Sequence, residues 1–312
     1  MKKARIILAV IFVLSLIGGW RYWSIQRKQE DTTDPVLSAS PDVIEMSIDA
    51  TDEELLEGVS AYDDQDGDVS DSIIIESVSK ITDGATEEFE ITYVAFDSSG
   101  NVGRLTRSLI YTDYSHPHFE ISRQLRFAQN STWSLLDYIV ATDCLDGNLS
   151  PFVTIEGSED IQSDSPTGTY KCTLSVTNSV GDTAQVPIQV EIYEDSEEEQ
   201  LYRPSITLST YLTYIELGAG FDPENYLYRL TDGIEYQIDF GEMIENETAD
   251  GIEWVTEKEA DGENGDWINV SEITITSEVD TSTEGTYFVL YTYTSERTGY
   301  DCRARLIVVV ED

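Results

Sequence analysis

The sequence predicts an all-β protein in which three tandem β-sandwich domains follow an N-terminal membrane helix. Two repeats predict the sandwiches. An Asp-Gly segment at 61–70 returns at 141–150, and an alternating apolar segment at 89–96 returns at 170–177 and at 287–294. Repetition of whole β-rich units is typical of tandem domains. An uncharged apolar run near the N-terminus predicts the helix.

The N-terminus has the features of a membrane anchor. Basic residues precede an uncharged apolar run at 6–19, and an aromatic segment at 20–23 closes it like an interfacial belt. A cleaved signal peptide needs small residues at its exit, and 20–23 provides none. The sequence therefore favours an uncleaved transmembrane signal anchor over 6–23, at the short end of the roughly 17–25 residues that span a bilayer. We expect residues 1–23 to form a cytoplasmic tip and this single-pass anchor, with the domains extracellular.

Charge limits the range of partners. The chain has a net charge of −43, and its first 30 residues hold six of the 18 basic and one of the 61 acidic side chains. The remainder therefore carries 12 basic against 60 acidic side chains, a net charge of −48. So acidic a body repels nucleic acid and attracts cations. The three cysteines, Cys144, Cys172 and Cys302, provide neither a disulfide framework nor a metal-ligand spacing.

The repeats also predict domain boundaries. A proline followed by alternating apolar residues, at Pro41, Pro117 and Pro204, predicts the edge strand that opens each domain. We expect the linker before domain 3 to be extended, and the insertion within domain 3 to form surface loops. The predicted segments are a polar stalk at 24–40, domain 1 at 41–113, domain 2 at 114–194, an acidic linker at 195–203, and domain 3 at 204–312 with its insertion at about 234–269.

Local patterns predict the elements within each domain. Thr51 and Asp222 each precede an acidic and apolar segment, as helix N-cap residues do. Residues 89–96 alternate apolar and polar side chains, which predicts a half-buried antiparallel strand that pairs with 105–111. Many short strands with closely spaced turns are typical of a β-sandwich.

Two motifs of domain 1 resemble the bacterial surface immunoglobulin-like repeat. The first, at 58–70, is GVSAYDDQDGDVS, and the second, at 93–101, is YVAFDSSGN. That family also occurs as a module of a pesticidal crystal protein and is similar to hyalin-type repeats. The resemblance implies immunoglobulin-like sandwiches at a cell surface, without catalytic activity. Domain 2 keeps Asp143 and Asp146, whereas domain 3 keeps little of the loop beyond Asp232 and Gly233.

The acidic loop of domain 1 is a candidate Ca²⁺ site. In an immunoglobulin-like sandwich, the loop at 63–68 and the loop at 97–101 lie at the same end. Ca²⁺ takes six to eight oxygen ligands, and the spacing does not fit an EF-hand. An alternative remains open, in which these side chains form turns and accept local backbone N–H groups. The candidate ligands are Asp63, Asp64, Asp66, Asp68, Asp97 and Asn101.

Two tryptophans in the insertion are candidates for a contact patch. Trp254 and Trp267 could bind a glycan or a protein, or they could anchor the insertion to its own sandwich. Both interpretations remain open.

Together these patterns favour a protein that is not an enzyme. His116 and His118 flank one proline between domains 1 and 2, so they predict neither a zinc site nor a catalytic triad. We expect a membrane-anchored spacer, adhesion or protein-interaction element whose partner is a cell-surface protein or a cell-wall glycan. The alternative is a dedicated glycan- or Ca²⁺-binding surface module.

Overall fold

The protein consists of small β-sheets arranged in sequence. The chain divides into two compact units, Met1–Tyr114 and Ser115–Asp312. Unit 1 contains domain 1, and unit 2 contains domains 2 and 3. In the described ranges each domain has two main sheets, which confirms the prediction of tandem β-sandwiches. The computed structural model describes residues 12–22, 31–81, 88–157, 161–248 and 251–311.

The N-terminal segment is helical where it is described. Residues 12–22 form an exposed helix. Within the described ranges, no helix combines the length and the apolar character needed to cross a membrane. The predicted anchor at 6–23 extends past this helix at both ends, into residues that lie outside the described ranges.

Domain 1 is a sandwich of three and four strands. Its strands are β1 (Val36–Ala39), β2 (Val43–Met46), β3 (Val59–Asp63), β4 (Gly67–Asp68), β5 (Ile74–Lys80), β6 (Phe89–Phe96) and β7 (Val102–Tyr111). The sheets have the orders β1-β3-β4 and β2-β7-β6-β5. β6 has the predicted bounds, and its side chains Phe89, Ile91, Tyr93 and Ala95 are fully buried. Helix α1 (Asp52–Leu55) begins after Thr51, which forms the predicted cap.

The first strand of domain 1 lies within the predicted stalk, so the predicted boundary between them is wrong. Residues 36–39, expected to be part of the stalk at 24–40, form β1 and pair antiparallel with β3. Domain 1 therefore opens after Pro35, and Pro41 stands between β1 and β2, which belong to different sheets. A strand of four residues is too short to show a period in the sequence.

Domain 2 repeats the arrangement of domain 1. Its strands are β8 (His118–Ile121), β9 (Arg126–Ala128), β10 (Ile139–Asp143), β11 (Gly147–Asn148), β12 (Thr154–Glu156), β13 (Gly168–Thr177) and β14 (Thr183–Tyr193). They form sheets of order β11-β10-β8 and β12-β13-β14-β9. In both domains a short strand runs parallel to the last one, since β2 pairs with β7 and β9 pairs with β14.

Domain 3 has two four-stranded sheets. Its strands are β15 (Ser205–Leu208), β16 (Leu212–Glu216), β17 (Leu227–Asp232), β18 (Ile234–Asp239), β19 (Ile244–Thr248), β20 (Gly251–Val255), β21 (Trp267–Asn269), β22 (Thr274–Ser277), β23 (Gly285–Thr294) and β24 (Asp301–Glu311). The sheet orders are β15-β17-β18-β21 and β16-β24-β23-β22, and β19 pairs with β20 as a hairpin. Helix α3, at Glu257–Ala260, follows this hairpin.

The insertion of domain 3 is more ordered than predicted. Its first and last parts, β18 and β21, pair parallel and complete a sandwich sheet. Only the middle of the expected surface loop, with the β19–β20 hairpin, lies outside the two main sheets. These strands could not be predicted from the sequence, because each has one buried apolar side chain, Ile238 in β18 and Ile268 in β21. One such residue per strand gives no alternation of apolar and polar residues.

The linker before domain 3 is helical instead of extended. Helix α2 (Glu197–Tyr202) begins after Ser196, whose hydroxyl accepts the N–H of Glu199. Three glutamates occupy its first turn, where their negative charges interact favourably with the helix dipole. Glu199 also lies 2.8 Å from Arg126 and 2.9 Å from Arg203. The cap and the two ion pairs explain why this charged segment is folded.

Domains 2 and 3 share one core. A single cluster of buried apolar residues extends from Phe119 in β8 to Val308 in β24. The backbone N–H of Phe119 donates to the hydroxyl of Tyr214 at 2.8 Å, and Gln124 donates its amide to the carbonyl of Arg303 at 2.8 Å. Burial raises the pKa of Tyr214, so its hydroxyl is neutral at physiological pH. The two domains are thus joined by apolar and polar contacts.

Candidate metal centre

Two acidic loops meet at one end of domain 1. Asp63 ends β3 and lies opposite Gly67 in the register of the β3–β4 hairpin. Gly67 has a φ of +80°, which L side chains rarely adopt, so this tight turn favours glycine. Asp97 directly follows β6 and opens the loop that leads to β7. The hairpin turn and this second loop place their carboxylates at the same end of the sandwich.

Four carboxylates converge where the loops meet. Asp31, Asp63, Asp66 and Asp97, called here the carboxylate cluster, each contribute one oxygen within 4.8 Å of the other three. Asp63 is 1% exposed, Asp31 is 8% exposed and Asp97 is 9% exposed, whereas Asp66 faces solvent. Within the described ranges, this is the one group of three or more His, Cys, Asp or Glu side chains that lie so close together.

Hydrogen bonds hold two of the predicted ligands, Asp63 and Asp66, in place. Oδ1 of Asp63 accepts the N–H groups of Gln65 at 2.8 Å and of Asp66 at 2.9 Å. Asp66 in turn links the two loops, because it accepts the N–H of Ser98 at 2.7 Å and the hydroxyl of Ser98 at 2.9 Å. The turn-forming bonds expected for these loops are present, and they leave the carboxylates side by side.

Asn101 supports Asp97, another of the predicted ligands. Oδ1 of Asp97 accepts the N–H groups of Ser99 at 2.9 Å and of Asn101 at 2.8 Å. The side-chain amide of Asn101 donates to Oδ2 of Asp97 at 2.6 Å and to the backbone carbonyl of Asp31 at 3.2 Å. Asn101 therefore orients the cluster through its nitrogen, and this contact differs from the oxygen-ligand role predicted for it.

The fourth carboxylate was missed by the sequence. Asp31 lies ahead of β1, in the segment predicted as stalk. Its Oδ1 accepts the N–H of Thr33 at 3.0 Å and the hydroxyl of Thr33 at 2.7 Å. That hydroxyl also lies 3.4 Å from Oδ2 of Asp63. The Asp-x-Thr spacing is a local turn signal, but nothing in it indicates which loop the segment approaches.

Two predicted ligands lie outside the cluster. Asp64 is exposed in the hairpin turn. Asp68 is also exposed, and its Oδ1 accepts the N–H of Ser70 at 3.0 Å at the start of a 3₁₀ turn, Ser70–Ser72. Bonds from Ser70 lower the pKa of Asp68. Asp68 thus has the turn-forming role that the sequence left open as the alternative.

Hydrogen bonding favours the ionised form of two cluster carboxyls. The N–H groups of Asp66 and Gln65 hold the pKa of Asp63 below its ordinary value, although burial and the charge of Asp97 raise it. For Asp97, burial is the largest single influence and raises the pKa, but the bonds from Asn101 and its neighbours together outweigh it and the pKa is lowered. Both groups are therefore anions at neutral pH, the form that binds a cation.

Domain 2 has modified loops at the corresponding place. Asp143 ends β10, as Asp63 ends β3 in domain 1. Asn178 directly follows β13, at the position that Asp97 has after β6. The amide of Asn178 donates to Oδ1 of Asp143 at 3.0 Å, and its oxygen accepts the N–H of Asp182 at 2.8 Å. Nδ1 of His116 lies 2.6 Å from Oδ2 of Asp182. An amide and an imidazole thus stand among the acids of domain 2.

In domain 3 a positively charged side chain lies at the corresponding place. Asp232 ends β17 and is 7% exposed. It accepts the hydroxyl of Ser295, which follows β23, at 2.6 Å. The guanidinium of Arg297 donates to Asp232 at 2.9 Å. The equivalent buried aspartate is therefore balanced by a side chain of its own domain.

The two candidate tryptophans lie in different surroundings. Trp254 is 61% exposed on β20, and Ile252, two residues earlier on the same face of the hairpin, is equally exposed. Trp267 lies in β21, and its indole N–H is buried with no hydrogen-bond partner in the described ranges. Trp267 is therefore partly buried, whereas the ring of Trp254 faces solvent.

Basic side chains line a cleft between domains 2 and 3. The cleft has a volume of about 380 Å³, and Arg203, Arg303 and Arg305 contribute to it together with Glu191 and Glu199. Burial lowers the pKa of Arg305, although the negative charge of Glu191 raises it. The sequence could not predict this cleft, because its lining comes from two domains.

Comparison with known proteins gives distant similarities of structure. No family model matches the chain, and no curated protein matches its sequence. The resemblance to the bacterial surface immunoglobulin-like repeat therefore depends on the two motifs of domain 1.

Three solved structures represent these similarities. The CBM51-2 and INT domains of ZmpB from Clostridium perfringens, in complex with GlcNAc, are 14% identical over 50% of this chain and 41% of that chain, with a TM-score of 0.20. The protocadherin γB4 extracellular domain is 12% identical over 90% and 51%, with a TM-score of 0.21. A lipoprotein from Bacteroides thetaiotaomicron is 13% identical over 62% and 99%, with a TM-score of 0.23. The matched part thus spans 41% and 51% of the first two relatives.

Proposed function

We propose that the protein is a non-catalytic cell-surface protein, anchored in the membrane through residues 6–23. Its tandem sandwiches, immunoglobulin-like in their motifs, act outside the cell as a spacer and interaction element. The observation that carries the proposal is the junction between domains 2 and 3, where a shared core and direct hydrogen bonds replace a flexible linker.

The junction suits a spacer because it fixes two domains with respect to each other. Flexible linkers give the domains that they connect a wide range of positions. Here α2 occupies the linker, and Glu199 binds Arg126 of domain 2 and Arg203 at the end of α2. A pair of domains held in this way positions its far loops reproducibly, as a protein that presents a binding surface requires.

The charge of the body agrees with a place outside the membrane. The domains carry a net charge of −48 after the first 30 residues. Like charges keep such domains away from anionic lipid headgroups. A surface spacer benefits from this repulsion because its domains stay in the solvent instead of adhering to the membrane.

The location is tested by antibody binding to intact cells. Antibodies against residues 115–312 should bind intact cells as strongly as permeabilised cells. Deletion of 6–23 should release the protein from the membrane fraction. Binding that requires permeabilisation, or membrane retention of the deletion variant, would contradict the proposal.

A second candidate function, binding of cell-wall glycan, is favoured by the exposure of Trp254. Exposed aromatic rings that are backed by apolar side chains are common contacts for sugars and proteins. Trp254→Ala should abolish retention of the protein on cell-wall polysaccharide and leave its thermal midpoint unchanged. Tyr228→Ala is the matched control, since Tyr228 is 60% exposed elsewhere in domain 3. Wild-type retention of the Trp254 variant would remove this candidate.

A further inference from the structure

We infer that the carboxylate cluster of domain 1 binds one Ca²⁺ ion, and that this ion fastens residues 31–35 to the loop end of the sandwich. The first observation is the convergence of four carboxylate oxygens within 4.8 Å. The second is independent of it. Oδ2 of Asp31 is buried and accepts no hydrogen bond from any described residue, although Asp31 is 8% exposed.

A buried carboxylate oxygen without a donor requires a partner. Removing such an oxygen from water without replacing its hydrogen bonds is strongly unfavourable. The neighbours of Asp31 in the cluster are themselves acids, and they raise this cost by repulsion. Among the described residues, no Lys, Arg or His forms an ion pair with any of the four carboxylates. A bound cation provides the missing partner and balances the charge.

The other two domains show what the site of domain 1 lacks. Domain 3 balances its buried Asp232 with the guanidinium of Arg297. Domain 2 has Asn178 as an amide donor, with His116 beside a neighbouring acid. In domain 1 the carboxylate of Asp97 takes the position of Asn178, and the amide of Asn101 donates to Asp97 instead of to the buried Asp63. Domains 2 and 3 thus place an amide or a cation against the first buried aspartate, whereas domain 1 places acids there.

The ligand type and spacing favour Ca²⁺ over other metals. All four ligands are carboxylate oxygens, which Zn²⁺ and other softer metals do not prefer. Oxygens that each lie about 2.4 Å from one ion are at most about 4.8 Å apart, and the cluster meets this limit. Mg²⁺ requires oxygens at about 2.0–2.1 Å in a strict octahedron and usually keeps several waters. Solvent at the exposed Asp66 can complete the six to eight ligands of Ca²⁺.

Through Asp31, the ion attaches residues 31–35, the segment that precedes β1, to the loop acids. We call this attachment the clasp. Its carboxylate comes from outside the sandwich, while the other three come from the sandwich loops. Thr33 and Asn101 already connect this segment to the loops through single bonds. A Ca²⁺ ion shared by Asp31 and the loop acids would hold residues 31–35 more firmly.

The binding test uses isothermal titration of the full-length chain, kept in mild detergent with 150 mM NaCl after treatment with EDTA. Salt at this concentration screens diffuse attraction beyond about 8 Å. We expect one Ca²⁺ per chain, no saturable Mg²⁺ binding, and at least a tenfold loss of affinity in Asp66→Asn. Asp146→Asn, the counterpart in domain 2, should change the affinity less than twofold. Several ions per chain, equal binding of Mg²⁺, or unchanged affinity in Asp66→Asn would overturn the site.

The clasp is tested by hydrogen exchange of the backbone amides at 31–34. Saturating Ca²⁺ should slow their exchange at least tenfold in the wild type. Asp31→Asn keeps the size of the side chain but removes its charge, so this protection should be lost at Ca²⁺ concentrations that saturate the loop acids. Unchanged exchange in the wild type on Ca²⁺ binding, or full protection in Asp31→Asn, would overturn the clasp.

Discussion

His118 and Glu311 join the first strand of domain 2 to the last strand of domain 3, with Nε2 of His118 2.6 Å from Oε1 of Glu311. The ring of His118 also lies against that of Tyr214, with 4.0 Å between centroids. Tyr214 accepts the N–H of Phe119. Three side chains from two domains thus form a single contact site, and this site should make the domains unfold together.

Tyr214→Ala should separate the unfolding of domains 2 and 3. The variant removes the ring beneath His118 and the acceptor for Phe119, both of which couple the domains. In scanning calorimetry of the full-length chain, the single transition of unit 2 should become two. Tyr228→Ala removes an exposed ring and should leave one transition. One transition in the Tyr214 variant would mean that the shared apolar cluster is sufficient for coupling.

Tyr93→Phe should destabilise domain 1. The buried hydroxyl of Tyr93 donates to the carbonyl of Leu55 in α1 at 2.7 Å. Without this donor, the carbonyl loses its partner in a buried place, at a cost of about 1–3 kcal/mol. Urea denaturation should show the loss as a lower midpoint. Tyr62→Phe, at a ring that is 59% exposed, should leave the midpoint unchanged.

Native thiol labelling should detect one cysteine. Cys172 is 5% exposed and Cys302 is 3% exposed, whereas Cys144 is half-buried. Burial raises the pKa of Cys302 to about 11, which keeps it a thiol at pH 8. A thiol reagent at pH 8 should therefore label only Cys144 in the folded chain and all three after denaturation. Rapid labelling of Cys144→Ser in the folded state would contradict this assignment.

Alkaline pH should destabilise domain 3. Burial, assisted by the charge of Asp232, raises the pKa of Tyr293 to about 12, so the folded state favours the neutral phenol. Because an unfolded tyrosine has a pKa of about 10, this contribution to stability is complete below pH 10 and is lost as the pH rises through 12. Urea midpoints between pH 8 and 12 measure the loss. Tyr293→Phe should show a smaller decline, and an equal decline would assign the effect to other groups.

The two tryptophans of the insertion should respond differently to truncation. Trp267→Ala removes a partly buried ring from a sheet strand, so the free energy of unfolding should fall by about 2 kcal/mol. Trp254→Ala removes an exposed ring and should change that free energy by less than about 0.5 kcal/mol. Thermal unfolding of both variants checks this difference. An equal loss in both would show that the hairpin packs more tightly than its exposure indicates.

Some of the site was predictable because it is local. The Asp63–Asp68 turn and the Asp97–Asn101 loop are encoded by residues that interact within a few positions of one another. Asp68 shows the limit of this reasoning. Its carboxylate has the same sequence signal as Asp66, but it faces Ser70 instead of the second loop. Composition cannot separate these two acids, because Asp66 lies in the turn before β4 whereas Asp68 lies within β4.

The sequence by itself determined the tandem β-sandwich architecture, since alternation such as that of 89–96 depends only on which side chains face a core. Tertiary structure alone decided that Asp31 joins the acidic loops and that domains 2 and 3 share a core. Periodicity along the chain reports burial within one element. Contacts between distant segments depend instead on how complete elements pack, and no local pattern records that packing.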